Sequence, residues 1–337
     1  MLPRYKSEPI SIPALRFLAS LVSITVMRWD LHGIIIEGRT NDNGLADWWR
    51  RSFASRPVST AVPHLHITLN LTDSVPAPPP GDPDFTQGDL LAYYLDGETA
   101  VAHFPRFGQL ALNLGAGTTD GRIVPAALHT YGVLEDLIAI SLSPHLRRRG
   151  RFLIHAFAAA VNGRALLLVG SIGAGKTTTG MALLNAGWRL LSNDSPIIGA
   201  GGRVFSYPGL LAAYPETFGR FPATRHLAKR RAARDGRAKL TFPAEEIWPD
   251  VWLDRAAIGA ICFPVIEARA DHALEPIPAP QALARLLPHA VEQWDKAMMP
   301  PHLAALRQLV ESAPAYRLRL GQDVAAIPTF FQKEINL

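Results

Sequence analysis

Gly170-Ser171-Ile172-Gly173-Ala174-Gly175-Lys176-Thr177 fits G-x-x-x-x-G-K-[ST], and each fixed position has phosphate chemistry to do. The glycines let backbone N–H groups converge on phosphate oxygens, where a Cβ would intrude. Lys176 supplies a point charge for the β- and γ-phosphates, and the Thr177 hydroxyl suits Mg²⁺. The expected nucleotide-binding segment is therefore Gly170, Ser171, Ile172, Gly173, Ala174, Gly175, Lys176, Thr177 and Thr178.

Phosphoryl transfer needs more than a cradle. It needs metal ligands beyond Thr177 and a group that orients or deprotonates the nucleophile. Asp194 is the best candidate for both roles, metal ligand and base, although an aspartate before Ser195-Pro196 also reads as a turn cap. Asn193 can position a hydroxyl or water but takes up no proton at neutral pH. His155 lies in an apolar run, where a histidine is either a satisfied core residue or a site residue. Lys239 is either a second cation near the nucleotide or a plain surface lysine.

The elements that must position these residues are legible around them. Ala165 to Val169 reads as a buried strand, and Thr178 to Ala186 as a helix stopped by Gly187. Strand, glycine loop and helix is the context the motif requires, because the helix N-terminus adds its dipole to phosphate binding. Phe152 to Val161 is a second apolar run, joined to the P-loop strand through Asn162-Gly163. That turn predicts an antiparallel hairpin, unlike the parallel layout of most P-loop NTPases. Trp188 to Ser192 reads as a strand delivering Asn193 and Asp194. Gln281 to Lys296 and Pro301 to Ser312 read as helices, and Ala315 to Leu320 as a strand.

The first 145 residues read as a separate α+β region that binds substrate or mediates oligomerisation, with the catalytic domain over 146–337. Ser23 to Met27, Gly33 to Glu37 and His64 to Asn70 are expected strands, and Leu45 to Phe53 a short helix. Val75 to Pro83 is a proline-rich spacer, and Leu91 to Phe104 a hairpin centred on Asp96-Gly97. Tyr131 to Arg147 is an expected helix, closed by cationic residues and Gly150.

His155-Ala156, the hairpin, the P-loop and Ala186-Gly187-Trp188-Arg189-Leu190-Leu191-Ser192-Asn193-Asp194 together resemble the catalytic core of HPr kinase/phosphorylase and its relatives. The resemblance covers about residues 150 to 215. It implies an α/β fold with a phosphoenolpyruvate-carboxykinase-like P-loop core and a mixed or antiparallel sheet. It implies ATP or GTP and Mg²⁺ as cofactors, with Lys176 and Thr177 holding phosphates and metal. Asp194 matches the second member of the family's Asp-Asp pair, and His155 the histidine near the transferred phosphate. Asn193 departs from the pattern, standing where the HPr enzymes carry their acid/base aspartate. The family's C-terminal glycine signature is not evident after Arg255, so neither phosphorolysis nor the hexameric assembly is carried over, although a homo-oligomer remains compatible. The resemblance points to a kinase acting on a serine of a peptide or small protein, natural-product precursors included. A nucleotide-gated regulator with little turnover and a small-metabolite kinase are the alternatives.

Composition narrows the classes further. The chain has 337 residues, 48% hydrophobic and 19% charged, which describes a globular protein with a substantial core. One cysteine, Cys262 in an apolar run, excludes an intrachain disulfide framework and suits a reducing cytoplasm. No C-x-x-C or H-E-x-x-H spacing points to zinc. Ala14 to Met27 is apolar, but Pro13 and Arg16 interrupt it and it is too short to span a bilayer; it reads as a helix or strand of the fold. Net charge is +5, and Arg220, Arg225, Lys229, Arg230, Arg231, Arg234, Arg237 and Lys239 concentrate the excess. That run is either a solvated face or a mobile segment that grips triphosphate or an acidic partner. Aromatic residues do not interleave with it, which argues against nucleic acid.

Overall fold

A computed structural model describes residues 24–229, 239–290, 292–335 and 337. Most of the apolar N-terminal stretch, and Arg230, Arg231, Arg234 and Arg237 of the basic run, lie outside the described residues.

The first half builds one mixed sheet from β1 (Thr25–Leu31), β2 (Ile34–Thr40), β3 (Leu65–Leu71), β4 (Phe85–Gln87), β5 (Leu91–Asp96), β6 (Thr99–Phe104), β7 (Gly108–Asn113) and β8 (Thr118–Ile123). Their order is β1-β2-β3-β8-β7-β6-β5-β4. The β2–β3 and β3–β8 pairs are parallel, and the others antiparallel. The expected hairpin forms with a shifted centre: Asp96 pairs with Thr99, so Gly97 and Glu98 make the turn. Helix α1 (Asn43–Ser52) is capped by the Asp42 side chain on the Leu45 N–H and buries Trp49 against Trp29. After the short α2 (Ala126–His129), α3 (Val133–Arg147) packs Leu134, Leu137, Ile138 and Leu142 into the same core.

Among the described residues the second sheet has nine strands. They are β9 (Phe152–Leu153), β10 (Ala156–Val161), β11 (Arg164–Val169), β12 (Arg189–Ser192), β13 (Ile197–Gly199), β14 (Arg203–Phe205), and, past a separate β15 (Leu211–Ala213) and β16 (Leu240–Phe242) ribbon, β17 (Arg255–Ile266), β18 (Ala273–Ile277) and β19 (Ala315–Leu320). The predicted hairpin is present: β10 and β11 pair antiparallel, with Asn162 and Gly163 both at positive φ in the turn. β11 also pairs parallel with β17, so the P-loop strand sits inside a mixed sheet. Cys262 lies in β17, fully buried, and burial pushes its thiol pKa up.

Among the described residues this half has five α-helices: α4 (Lys176–Asn185), α5 (Pro215–Gly219), α6 (Ala279–Leu286), α7 (Met299–Ser312) and α8 (Ile327–Ile335). Gly180 lets α4 close on the sheet, since a Cβ there would stand 2.3 Å from the Phe157 ring. Met181, Leu183 and Leu184 bury completely or nearly so, each worth about 1.5–3 kcal/mol of transfer free energy.

Two expectations need correction. The run from Phe152 to Val161 is not one strand: it breaks at Ile154-His155, where the chain leaves its pairing with β13 and moves across to β11 and β12. The expected helix over 281–296 starts earlier and ends at Leu286, followed by a short 3₁₀ turn through Pro288 to His289. Both breaks free backbone groups that the site uses.

The two halves interlock. Trp294 stacks on Tyr93 at 4.5 Å, and Ile197, Phe205 and Tyr207 join the first sheet's core. Arg147 and Arg148 grip Asp295 at 2.8 and 3.0 Å, with Arg147 and Asp295 both buried. Ion pairs this buried are costly to break from one side, by about 3–5 kcal/mol. α3 is thereby held with its first turn toward the P-loop.

Candidate functional site

β11 delivers the loop. Ala165 to Val169 are buried without exception, so the strand is fixed and the chain emerges at Gly170 already positioned. Gly175 caps α4 at φ 95°, a left-handed conformation, and a Cβ there would also meet Leu320 at 2.7 Å. No side chain caps the helix. Among the described residues the N–H groups of Gly173, Gly175, Lys176, Thr177 and Thr178 have no intramolecular acceptor. A ring of free donors at the positive end of a helix is a site for phosphate oxygens.

Lys176 is 8% exposed. Its Nζ donates to the Gly170 carbonyl at 2.5 Å and the Ser171 carbonyl at 3.2 Å, and lies 3.3 Å from His155 Nε2. Burial lowers its pKa, the Asp194 charge opposes that, and Lys239 adds to it.

His155 owes its place to the strand break. Three successive N–H groups bond outside any ladder: Ile154 to the Pro196 carbonyl, His155 to the His289 carbonyl at 2.7 Å, and Ala156 to the Asp194 carbonyl. The imidazole Nδ1 then stands 3.2 Å from Asp194 Oδ1. With protonated Lys176 donating to Nε2, the ring proton belongs on Nδ1, on the side of the Asp194 carboxylate. Asp194, His155 and Lys176 thus stand in one line, the imidazole hydrogen-bonded to Lys176 on one side and 3.2 Å from the Asp194 carboxylate on the other. The side chains of His155 and Asp194 are 38% and 59% exposed, so both remain within reach of a substrate.

Asp194 is not the turn cap. Ser192 Oγ accepts the N–H groups of both Asp194 and Ser195, at 3.3 and 3.0 Å, which leaves the Asp194 carboxylate to face His155. Asn193 is half-buried, and among the described residues its Oδ1 has no hydrogen-bond partner. Lys239 is no plain surface lysine: its Nζ lies 5.6 Å from the Tyr131 ring and 5.5 Å from the Tyr214 ring.

Three groups enter the site that sequence reasoning missed. Asp136, in the first turn of α3, keeps solvent access, yet loss of hydration, reinforced by the Asp194 charge and opposed by His155, raises its pKa to about 6. Glu135 beside it is also raised, chiefly by burial. His289 lies 6.2 Å from His155, ring to ring, and burial first, then the charges of His155 and Lys176, lowers its pKa. In sequence, Glu135 and Asp136 look only like acids complementing a helix dipole, and His289 falls inside an expected helix.

A cavity of about 380 Å³ opens beside the loop. Gly175, Thr178 and Thr179 form one wall, Tyr214, Leu320 and Ile327 supply apolar surface, and Arg220 from the start of the basic run reaches its rim. Mostly apolar lining with a few polar groups suits a planar base and its sugar. Among the described residues no cluster of three or more His, Cys, Asp or Glu side chains could enclose a metal ion. A hydroxyl and an open carboxylate, Thr177 and Asp194, match the way Mg²⁺ is held, by one or two side-chain oxygens with phosphates and water. Among the described residues no helix is long and apolar enough to cross a membrane.

No protein-family model and no curated protein matches the chain. Among solved structures, that of the Hpr(Ser) kinase/phosphatase from Coxiella burnetii aligns over 55% of this chain and 93% of its own, at 10% identity and a TM-score of 0.25. A superposition that loose assigns neither fold nor chemistry, and the functional reading rests on the site's own geometry.

Proposed function

We propose that the chain is an ATP- and Mg²⁺-dependent kinase with a phosphoenolpyruvate-carboxykinase-like core that transfers the γ-phosphate to a serine hydroxyl of a peptide or small protein. The observation that carries this reading is the line Asp194–His155–Lys176 at the mouth of a P-loop whose N–H groups are free. Phosphates dock on those N–H groups and on Lys176, while Thr177 and Asp194 would hold Mg²⁺. When bound, the ion neutralises charge on the phosphate oxygens. Transfer is then mostly positioning and electrostatics. The serine Oγ–phosphorus bond forms as the bond to the bridging oxygen of ADP breaks, and the hydroxyl proton passes to the Asp194 carboxylate. His155 holds that carboxylate in place through Nδ1. The open mouth, with Ile172 80% exposed at the loop's tip, favours an acceptor carried on a chain over a small enclosed metabolite.

The test is transfer from γ-labelled ATP in Mg²⁺ to a panel of serine peptides and small hydroxyl compounds. Labelled phosphoserine is expected, and Lys176→Ala should lower its formation by about 10²–10³-fold without changing the unfolding temperature. Wild-type transfer in that variant would overturn the P-loop assignment. Label found only on small compounds would replace the acceptor class and leave the kinase.

One observation favours a second reading, a nucleotide-gated regulator with weak turnover: the position beside Asp194 holds Asn193, which takes up no proton and whose Oδ1 lacks a partner. Asn193→Asp separates the two. A gain of tenfold or more in transfer marks a protein whose own chemistry is crippled, and an unchanged rate leaves Asp194 as the base.

A further inference from the structure

The P-loop end is not the only cationic cleft. β11 and β17 run parallel, with Arg164 opposite Ala257, so the start of β17 lies at the far end of the sheet from Gly170. The length of β11 puts it about 20 Å away. There His32, Arg151, Arg203, Phe205, Asp254 and Arg255 line a second cleft of about 380 Å³. Register aims the groups together: Arg203 and Phe205 share a face of β14, and Arg255 pairs directly with Phe205 from β17. Arg151 completes the set, its guanidinium 4.3 Å from the Phe205 ring centroid. His32 comes from the β1–β2 turn of the other sheet, fixed by its Nε2 on the Ser206 carbonyl at 2.7 Å.

The charge in this cleft is not balanced. Its one carboxylate, Asp254, is bound by the buried Arg56 at 3.0 Å. Among the described residues no carboxylate pairs with Arg151, Arg203 or Arg255, and Arg151 Nε is buried without an acceptor. Three arginines lining one cleft, Arg151 against the Phe205 ring and the forked donors unspent, are built to receive tetrahedral oxyanions. We infer that this inter-sheet cleft is a second ligand site, independent of the P-loop, for a small phosphorylated molecule carrying at least two negative charges.

Pyrophosphate is the probe, titrated calorimetrically into the full chain. Because the P-loop also takes phosphates, the decisive comparison is made in Lys176→Ala. That variant should retain one pyrophosphate event, weakened at least tenfold by adding Arg203→Gln and Arg255→Gln, and also by Arg151→Gln alone. Both arginine positions on β14 and β17 are exposed, and unfolding temperature confirms that the variants fold. Retained affinity in the arginine variants, or no event in Lys176→Ala, overturns the site. Citrate is the specificity arm: tenfold weaker binding than pyrophosphate supports a phosphate ligand, and equal binding overturns that assignment.

Discussion

The two ends of the P-loop sheet make an instructive pair. Both gather cations, yet only one sets acids among them. At the P-loop end, Lys176 and Lys239 share space with Asp194, Asp136 and Glu135, and the acids arrive from two different halves of the molecule. At the arginine end, the single carboxylate is already taken by Arg56. The difference lies in what a bound phosphate meets next. On the proposed reading, one end offers groups that accept protons and share a metal ion, and the other is lined chiefly by donors. Cationic lining alone therefore makes a binding site, and carboxylates placed against it make a reactive one.

The most severe way to break the comparison is to make the P-loop end resemble the other. Asp194→Asn keeps the size and turn geometry, since Ser192 caps the turn, but removes the proton acceptor. Transfer should fall by about 10²–10⁴-fold with nucleotide affinity changed much less. Single-turnover rates against equilibrium nucleotide binding check this, and a parallel loss in both would make Asp194 a binding residue rather than the base. His155→Ala comes next. It leaves Asp194 intact but unsupported, so a loss of about 10²-fold is expected, as for misplacement of a reacting group by an ångström. His155→Gln, able to donate near the Nε2 position but not from Nδ1, should not rescue it if the Nδ1 contact is what matters.

What could be read from the chain before the structure follows the same division. The P-loop, its helix and its hairpin were legible because the signals are local: a glycine pattern, a type-I′-compatible Asn162-Gly163 turn, and an apolar run of strand length. Lys176 and Thr177 follow from the same octapeptide. His155 and Asp194 were legible as candidates, but not as a contact, because the strand break that joins them depends on carbonyls of Pro196, His289 and Asp194. No local pattern announces a strand that changes partners. Asp136, His289 and the arginine cleft were invisible for the same reason. Each is built from residues tens to more than a hundred positions apart, brought together by the packing of one sheet on the other. The helix expected to run to Lys296 failed where Pro288 closes a 3₁₀ turn, and that failure places the His289 carbonyl on His155.

The smallest effect is the most diagnostic of how the two halves meet. Asp136 belongs to α3, far in sequence from the loop, and its pKa is raised to about 6 by burial and by Asp194. An unfolded aspartate titrates near 3.9. Between those values the native chain holds a proton that the unfolded chain has released, so stability falls as pH rises through the window and is constant above it. Asp136→Asn removes that charge. It should raise the unfolding temperature relative to the parent at pH 7, by about 1–2 °C given the residue's solvent access, and leave it unchanged near pH 3.5. Glu135 stays in both chains, and loss of the Asp136 charge that helps to raise it acts in the same direction. In Asp194→Asn the neighbouring charge that helps to raise Asp136 is gone, so the same substitution there should gain less. An equal gain in both backgrounds would mean that α3 does not feel the loop's carboxylate, and the acid-lined end would reduce to the second half of the chain alone.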